Sequence, residues 1–508
     1  MGTHYQALKA ADGSLLPGEF LITPVSVVNV ILERAQKAFW VYQKISQEQR
    51  AVFLLRIAEE IEAIGSALIE RSMAEAGLPE ARMRAERLRT VNQLKNFSRI
   101  LHVGEWQEPS INTGNSERPD LRKRLEPIGP VVVFGASNFP LAYSAGGGDT
   151  ASALAAGCSV IVKAHPAHPG TSEMVAEAII KAAKVTGMPE HIYQHVHDTG
   201  FELGQALVKH PLTTAVGFTG SLTGGRALFD IASNRKHPIP VYAEMGSTNP
   251  IVILPNVLKE ERRTFWVDQF KQSLTLNCGQ FCTNPGLMIA IDSKEIQFFM
   301  NDFESAVSKE SSQLMLHNGI SKAYQEHKVR LKEYTTVEFY YEGEAKDARS
   351  ASPALARVGG KAFIENPHLH EEVFGPYSLM VLCEDKEELE AVLHALQGQL
   401  TGTIVGGEKE LNDYQKSIEI LKSKVGRLIF NGVPTGVSVN GSMHHGGPYP
   451  ATTNAYFSAV GDDAIKRFVR PVTYQNCPQD HLPAILKDPN PNNWCRRING
   501  SYTFDAVQ

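Results

Sequence analysis

The hydrophobic positions of this chain keep two different rhythms. From about Val25 to His102 they recur at helical spacing. Ser46 with Gln49 three residues on forms a capping box, Phe53, Ile57, Ile61 and Ile64 repeat on one face, and Gly65 is placed to end the turn. Helices of this kind predict scaffold. At Ile128 the rhythm changes. Val131-Val132-Val133-Phe134-Gly135 is a continuous apolar run, as expected of a strand covered on both faces, and Asp149 to Ala156 is a small-residue helical stretch. The run from Cys158 to Lys163 is the next covered strand. Strand, helix and strand in so short a length predict a βαβ unit, hence a parallel sheet with a right-handed crossover.

The alternation continues with a helix from Thr171 to about Thr186 and a short strand from Ala215 to Phe218. A Thr219-Gly220-Ser221 turn, running on to Gly225, opens another helix, and Val241 to Glu244 is one more buried strand. The fold class predicted is α/β with a doubly wound sheet, in which ligands sit beyond the carboxyl ends of the strands. Asn138, Lys163, Gly220 and Glu244 all lie at such ends. A second α/β region runs from Asn249 to about Val439. The stretch from about Gln107 to Lys123 is polar and turn-rich, and the tail from Arg467 on reads as extended, with many Pro and Asn.

Composition narrows the function more than the fold. With 508 residues, 43% apolar and 21% charged, the chain can build two or three real cores. A net charge of -5 offers no basic face to nucleic acid or an anionic membrane. The first residues lack the layout of a secretory signal, and no window approaches the roughly 20 apolar residues that span a bilayer, so a cytoplasmic protein is expected. Six scattered cysteines suit a reducing compartment, and no Cys-x-x-Cys pair or nearby histidine completes a zinc set, so no metal is expected.

Chemistry concentrates between Thr275 and Gly286, where Cys278 and Cys282 sit in a small, polar, glycine-rich loop. Either thiol is a conceivable nucleophile, since flanking backbone amides can lower a thiol's pKa. Glu244 ends an apolar strand, a site that would raise its pKa towards working pH and fit it for activating water. Asn138, beyond a covered strand and before Phe139-Pro140, is a turn former or an amide donor aimed at an oxyanion. Lys163 can reach the sugar hydroxyls of a dinucleotide. The turn holding Gly220, Ser221 and Gly225 offers backbone N–H groups to a pyrophosphate.

Taken in order, these residues resemble the aldehyde dehydrogenase superfamily over nearly the whole chain. Its glutamate motif matches Glu244-Met245-Gly246, its Gly-Gln-x-Cys motif Gly279 to Cys282, and its Asn-Phe-Pro turn Asn138 to Pro140. Its Phe-Thr-Gly-Ser turn matches Phe218 to Ser221, and its Glu-Glu-x-Phe-Gly-Pro motif Glu371 to Pro376. The resemblance makes Cys282, not Cys278, the nucleophile, with Asn138 on the oxyanion and Glu244 as the base that frees the acid from a thioester. It places Glu372 on the nicotinamide-side ribose, Phe374 near the nicotinamide, Lys163 on the adenosine ribose and Ser221 at the pyrophosphate. It implies a dinucleotide-binding domain (1–107 and 128–247), a catalytic domain (248–445), and an oligomerisation hairpin with tail (108–127 and 465–508) in a homodimer or homotetramer.

Three departures stand out. Many NAD-preferring members hold the adenosine ribose with a glutamate three residues past the strand-ending lysine, where this chain has Pro166. With Lys163 and His165 at hand, that absence favours NADP, with NAD possible. Ser247 replaces a usual glycine, and the usual arginine after the cysteine loop is missing, with Leu287 lying nearby, neither departure expected to touch the catalytic set. The run Lys163 to Gly170 and the segment Met443 to Pro450 resemble a narrower branch, the α-ketoglutaric semialdehyde (2,5-dioxovalerate) dehydrogenases, with NADP-linked long-chain aldehyde dehydrogenases as the alternative. An anionic keto acid needs a cationic or donor-rich pocket, and His444 or His445 is expected to supply part of it. A cysteine acyl transferase or hydrolase without a redox step is the remaining alternative.

Overall fold

The computed structural model describes residues 3–507. A hairpin of β1 (His4–Leu8) and β2 (Leu15–Leu21) leads into helices α1 (Val28–Tyr42), α2 (Gln47–Ala63), α3 (Ser66–Ala76) and α4 (Glu80–Val103). The capping box forms at α2: Ser46 Oγ accepts from Gln49 N at 3.2 Å, and the Gln49 side chain accepts from Ser46 N at 3.4 Å. Phe53, Ile57 and Ile61 are completely buried. Gly65 breaks the chain between α2 and α3 at φ 73°.

After β3 (Ser110–Asn112) and β4 (Leu121–Pro127) the chain builds a parallel sheet. Its strands are β5 (Val131–Phe134), β6 (Val160–Lys163), β7 (Tyr193–Val196), β8 (Ala215–Thr219) and β9 (Val241–Glu244), in the order β7-β6-β5-β8-β9. Helices α5 (Gly148–Ala156), α6 (Pro169–Val185), α7 (Glu202–Lys209) and α8 (Leu222–Ser233) make the crossovers. Both faces are covered, which is why the strands read as unbroken apolar runs. Val131 and Val133 pack with α2, α4, α5 and α6, whereas Val132 points to α1 and α7. The strand order reverses between β5 and β8, and in open parallel sheets ligands bind beyond the carboxyl ends of the strands at such a reversal.

A second sheet of seven strands runs in the order Glu338–Glu342, Ala354–Gly359, Tyr377–Cys383, Leu287–Ile291, Ile251–Ile253, Gln399–Val405, Val425–Phe430, parallel except at its first edge. The polar excursion and the tail meet in a third sheet: β4 pairs along its length with Val469–Gln475, and β3 with Arg496–Ile498. So the tail expected to be merely extended contains three strands. The sequence reading also passes over β1–β2, interrupted by Pro17 and Gly18, and the edge strand β7, whose Gln194 and His195 break the apolar run. No helix among the described residues is long and apolar enough to cross a membrane.

Candidate active site

The cysteine loop leaves helix Glu260–Thr275 through three consecutive left-handed residues, Asn277 (φ 48°), Cys278 (φ 58°) and Gly279 (φ 62°). Two non-glycine residues in that region are costly, and the loop is held by fixed partners. Gln313 Oε1 accepts from Cys278 N at 2.9 Å, and the Gln280 side chain bridges Asn277 O and Leu316 N. Gly279 is pressed against the loop of Glu371 to Pro376: a Cβ there would stand 2.5 Å from the carbonyl carbon and oxygen of Gly375. Asn284 Nδ2 donates to Gly375 O at 3.0 Å. Two of the motifs read from sequence are thus locked backbone to backbone.

The two thiols part company in this loop. Cys278 is buried, and burial pushes its thiol up to about 12. Cys282 stays partly accessible and lies 3.6 Å from Nε2 of His445, which lies 2.9 Å from Oε1 of Glu244. Ligand atoms of all three residues fall within 4.8 Å of one another. His445 is fixed from behind by Ser458 Oγ, which accepts from its backbone N–H at 3.0 Å.

Both expectations about proton affinity are overturned. Burial, then the Glu244 carboxylate beside it, push the Cys282 thiol well above its ordinary range, against the pull of the Arg89 guanidinium. Burial also raises Glu244, but the His445 ring, the Cys282 hydrogen bond and Arg89 together hold it below the usual carboxylate range. The thiol is therefore a protonated group that needs a base, and the carboxylate is an ionised one. The second oxygen of Glu244 is buried with no partner among the described residues.

Supporting groups escaped the sequence reading. Asn249, in left-handed conformation at φ 49° and fully buried, donates through Nδ2 to the carbonyls of Cys282, Asn284 and Ser247 at 2.9, 2.9 and 3.1 Å. It ties the glutamate turn to the cysteine loop. Ser247, expected to stand apart, gives its hydroxyl to Asn249 Oδ1 and Gln399 Oε1, and its backbone N–H faces Glu372. Asn138 sits over the same loop, with Nδ2 3.3 Å from Gln280 O.

A family model described as "Aldehyde dehydrogenase family" matches residues 23–325, more than half of the chain. The chain belongs to the aldehyde dehydrogenase family. Alpha-ketoglutaric semialdehyde dehydrogenase 2 of Azospirillum brasilense is 48% identical over 465 residues, 90% of this chain and 88% of that protein. Alpha-ketoglutaric semialdehyde dehydrogenase of Acinetobacter baylyi is 43% identical over 483 residues, 94% and 91% of the two chains. Among solved structures, glyceraldehyde-3-phosphate dehydrogenase GapN from Methanocaldococcus jannaschii, complexed with NADP, shares the fold at a TM-score of 0.80 and 17% identity, covering 94% of this chain and 99% of that one.

In this aldehyde dehydrogenase the residues expected at a dinucleotide lie at the ends of β6 and β8 and on the loop that faces Gly246. Ser221 caps α8, its Oγ accepting from Gly224 N at 3.2 Å, and the first helical residues are exposed, leaving an open helix N-terminus that suits a pyrophosphate. Gly220 packs on Phe218, where a Cβ would come within 2.7 Å of the ring. Gly225 serves otherwise: it faces Met245 and Ala243 and lets α8 lie close on β9. Glu372 lies against Gly246, and burial, with Glu244 nearby, pushes its carboxyl up to about 8. Phe374 is half-buried in the same loop. Lys163 ends β6, its ammonium lowered by burial and supported by the charge of Asp198.

Three expected histidine roles change. His165 is held well below its ordinary range by burial and by His168 and His317, whose rings lie 5.5 and 5.9 Å away, so it carries no charge to a 2'-phosphate. His445 is engaged by the thiol and the carboxylate rather than standing free as a cation for substrate. His444 is half-buried and lowered by burial and by its neighbour, so it too offers no cation at neutral pH.

Proposed function

We propose that this aldehyde dehydrogenase oxidises 2,5-dioxopentanoate (α-ketoglutaric semialdehyde) to 2-oxoglutarate, with NADP as the electron acceptor and NAD as a poorer one. The observation that carries the chemistry is the chain of contacts Cys282–His445–Glu244, a raised thiol, a ring and an ionised carboxylate in one cleft. The substrate rests on the two relatives above, both named for that semialdehyde, each more than two-fifths identical over nearly the whole chain.

Glu244, ionised and hydrogen-bonded to the thiol, takes the proton from Cys282 Sγ as the sulfur attacks the aldehyde carbon, while His445, whose Nε2 lies 2.9 Å from the same carboxylate, holds that carboxylate ionised and in place. The oxygen that gains negative charge is met by the Asn138 side-chain amide and the Cys282 backbone N–H. Lys163, the open end of α8 with Gly220 and Ser221, Glu372 and Phe374 would hold the dinucleotide, which when bound accepts the two electrons and the hydrogen of the aldehyde carbon. A thioester on Cys282 remains. Glu244, once that first proton has passed to solvent, takes a proton from water through its unpartnered oxygen as the water attacks the thioester, and returns it to the sulfur as the acid leaves.

Substrate choice is tested by comparing 2,5-dioxopentanoate with a long-chain aldehyde on the purified enzyme, following absorbance at 340 nm. A higher kcat/KM for the long chain would transfer the protein to the alternative branch, and no absorbance change with any aldehyde would favour acyl transfer. For the dinucleotide, the missing glutamate at Pro166 and the cation of Lys163 support NADP, while Asp198, a buried carboxylate beside Lys163 with an unpartnered oxygen, favours NAD. A kcat/KM much higher with NAD would reverse the assignment.

We also propose that the third sheet is a subunit contact, within a homodimer or homotetramer in the cytoplasm. Tyr502, on its outer strand Ser501–Thr503, and Phe504, just beyond it, are largely exposed, and all six cysteines are free. Light scattering on the purified protein gives the subunit number.

A further inference from the structure

The keto-acid reading requires a cation in the cleft, and the histidines expected to supply it do not. Helix α4 carries one instead. Its other arginines are committed: Arg82 pairs with Glu86, Arg84 with Glu80, Arg99 with Asp462, and Arg87 donates to Gly65 O. Arg89 has no carboxylate within ion-pair distance among the described residues. It is half-buried, its Nη2 donates to the Tyr143 hydroxyl at 2.8 Å, and its guanidinium carbon lies 5.1 Å from the Tyr143 ring centroid and 5.6 Å from that of Phe139.

Those rings place it beside the chemistry. Phe139 follows Asn138, Phe281 precedes Cys282, and their centroids are 6.0 Å apart. The charge of Arg89 is felt both at the Cys282 thiol and at the Glu244 carboxyl. A guanidinium framed by neutral aromatic groups, with donors left over and no carboxylate in ion-pair contact among the described residues, Glu86 one turn away being paired with Arg82, is a receptor for a planar anion. A second guanidinium lies beside the cysteine loop: Arg427 of strand Val425–Phe430 donates to the carbonyls of Pro434 and Gly436, which flank Thr435, whose hydroxyl donates to the carbonyl of Thr283 next to Cys282 at 3.4 Å, and its buried Nε has no partner among the described residues.

We propose that Arg89, braced by Tyr143, binds the carboxylate of the keto-acid substrate at the end remote from the aldehyde, with Arg427 as the second cation of that subsite. This rests on the substrate reading above and adds the residue that makes the enzyme select an anion. A long-chain aldehyde leaves such a guanidinium desolvated without a partner, which is a cost against that substrate.

The test compares the parent enzyme, Arg89→Met and Arg89→Lys on 2,5-dioxopentanoate and on pentanal, an uncharged aldehyde of the same chain length, with thermal unfolding as a check on folding. Loss of a charge-assisted contact predicts about a hundredfold lower kcat/KM for Arg89→Met on the keto acid, mostly through KM. Pentanal should change by less than about threefold, and Arg89→Lys should recover part of the loss. If the parent prefers pentanal, the substrate reading falls and this subsite with it. If the parent prefers the keto acid but Arg89→Met weakens both substrates alike, or neither, Arg89 is only a brace for Tyr143 and the subsite is wrong. Should Arg89→Met fail to fold, Tyr143→Phe decides: it must weaken the keto acid more than pentanal.

Discussion

Replacing His445 by Phe keeps a ring of similar size while deleting the nitrogen that joins Cys282 to Glu244. Both partners are sealed, with side-chain exposures of 1% for His445 and 2% for Glu244, and the contact is 2.9 Å. Stranding a buried charge costs about 3–5 kcal/mol, but Glu244 can escape that figure by taking a proton, so about 2 kcal/mol is expected near neutral pH. Glu244 lies below its unfolded value in the parent, so its contribution is present above the ordinary carboxylate range and disappears as pH falls through the lowered value. The stability gap between parent and variant should therefore close on acidification.

The effect on chemistry should be larger. Without the ring Glu244 loses the partner that holds it ionised and takes up a proton, so the protonated Cys282 thiol lacks its base, and loss of such a base removes about 10²–10⁴ in rate. Iodoacetamide alkylation of Cys282 and pre-steady-state dinucleotide reduction at 340 nm separate the steps. Both should fall together in the variant, and the alkylation rate should climb with pH across the whole alkaline range. If His445→Phe alkylates and turns over like the parent at neutral pH, the ring does not keep Glu244 ready as the base and the proposed relay is wrong.

Gly279→Ala puts a methyl group 2.5 Å from the Gly375 carbonyl at φ +62°, so about 3 kcal/mol of stability and most of the turnover should be lost, as read by denaturant unfolding and kcat. Cys278→Ala removes a packed thiol and should cost about 1–2 kcal/mol with turnover retained, whereas Cys282→Ala should abolish turnover and leave the Tm nearly unchanged. Glu372→Gln removes a carboxyl raised to about 8, whose contribution is present below the ordinary carboxylate value and lost as pH rises through that value. The variant should therefore unfold at a higher temperature than the parent at about pH 9 but not at about pH 4. An advantage at both pH values would show that the carboxyl is not perturbed.

Local rhythm carried a large part of the fold. A strand covered on both faces must be apolar at consecutive positions, so β5, β6, β8 and β9 are legible in the residues themselves, as is the Ser46 cap that starts α2. The edge strand β7 is not, because an edge tolerates Gln194 and His195, and neither are the tail strands Val469–Gln475 and Arg496–Ile498, whose partners β4 and β3 lie more than 300 residues away. The same division runs through the candidate site. Cys282, Glu244 and Asn138 could be named because each sits in a short motif at a strand end or loop. The role of His445 could not, for it stands 163 residues from Cys282 and 201 from Glu244, and only the docking of the two large sheets closes those gaps. Proton affinities followed the same rule: they depend on burial and on charges brought near by packing, which is why the thiol rose where the sequence suggested a fall and Arg89 on a scaffold helix came to face the chemistry. Residue order determines which groups are available; the tertiary contacts decide which of them share a cleft and which of them hold a proton.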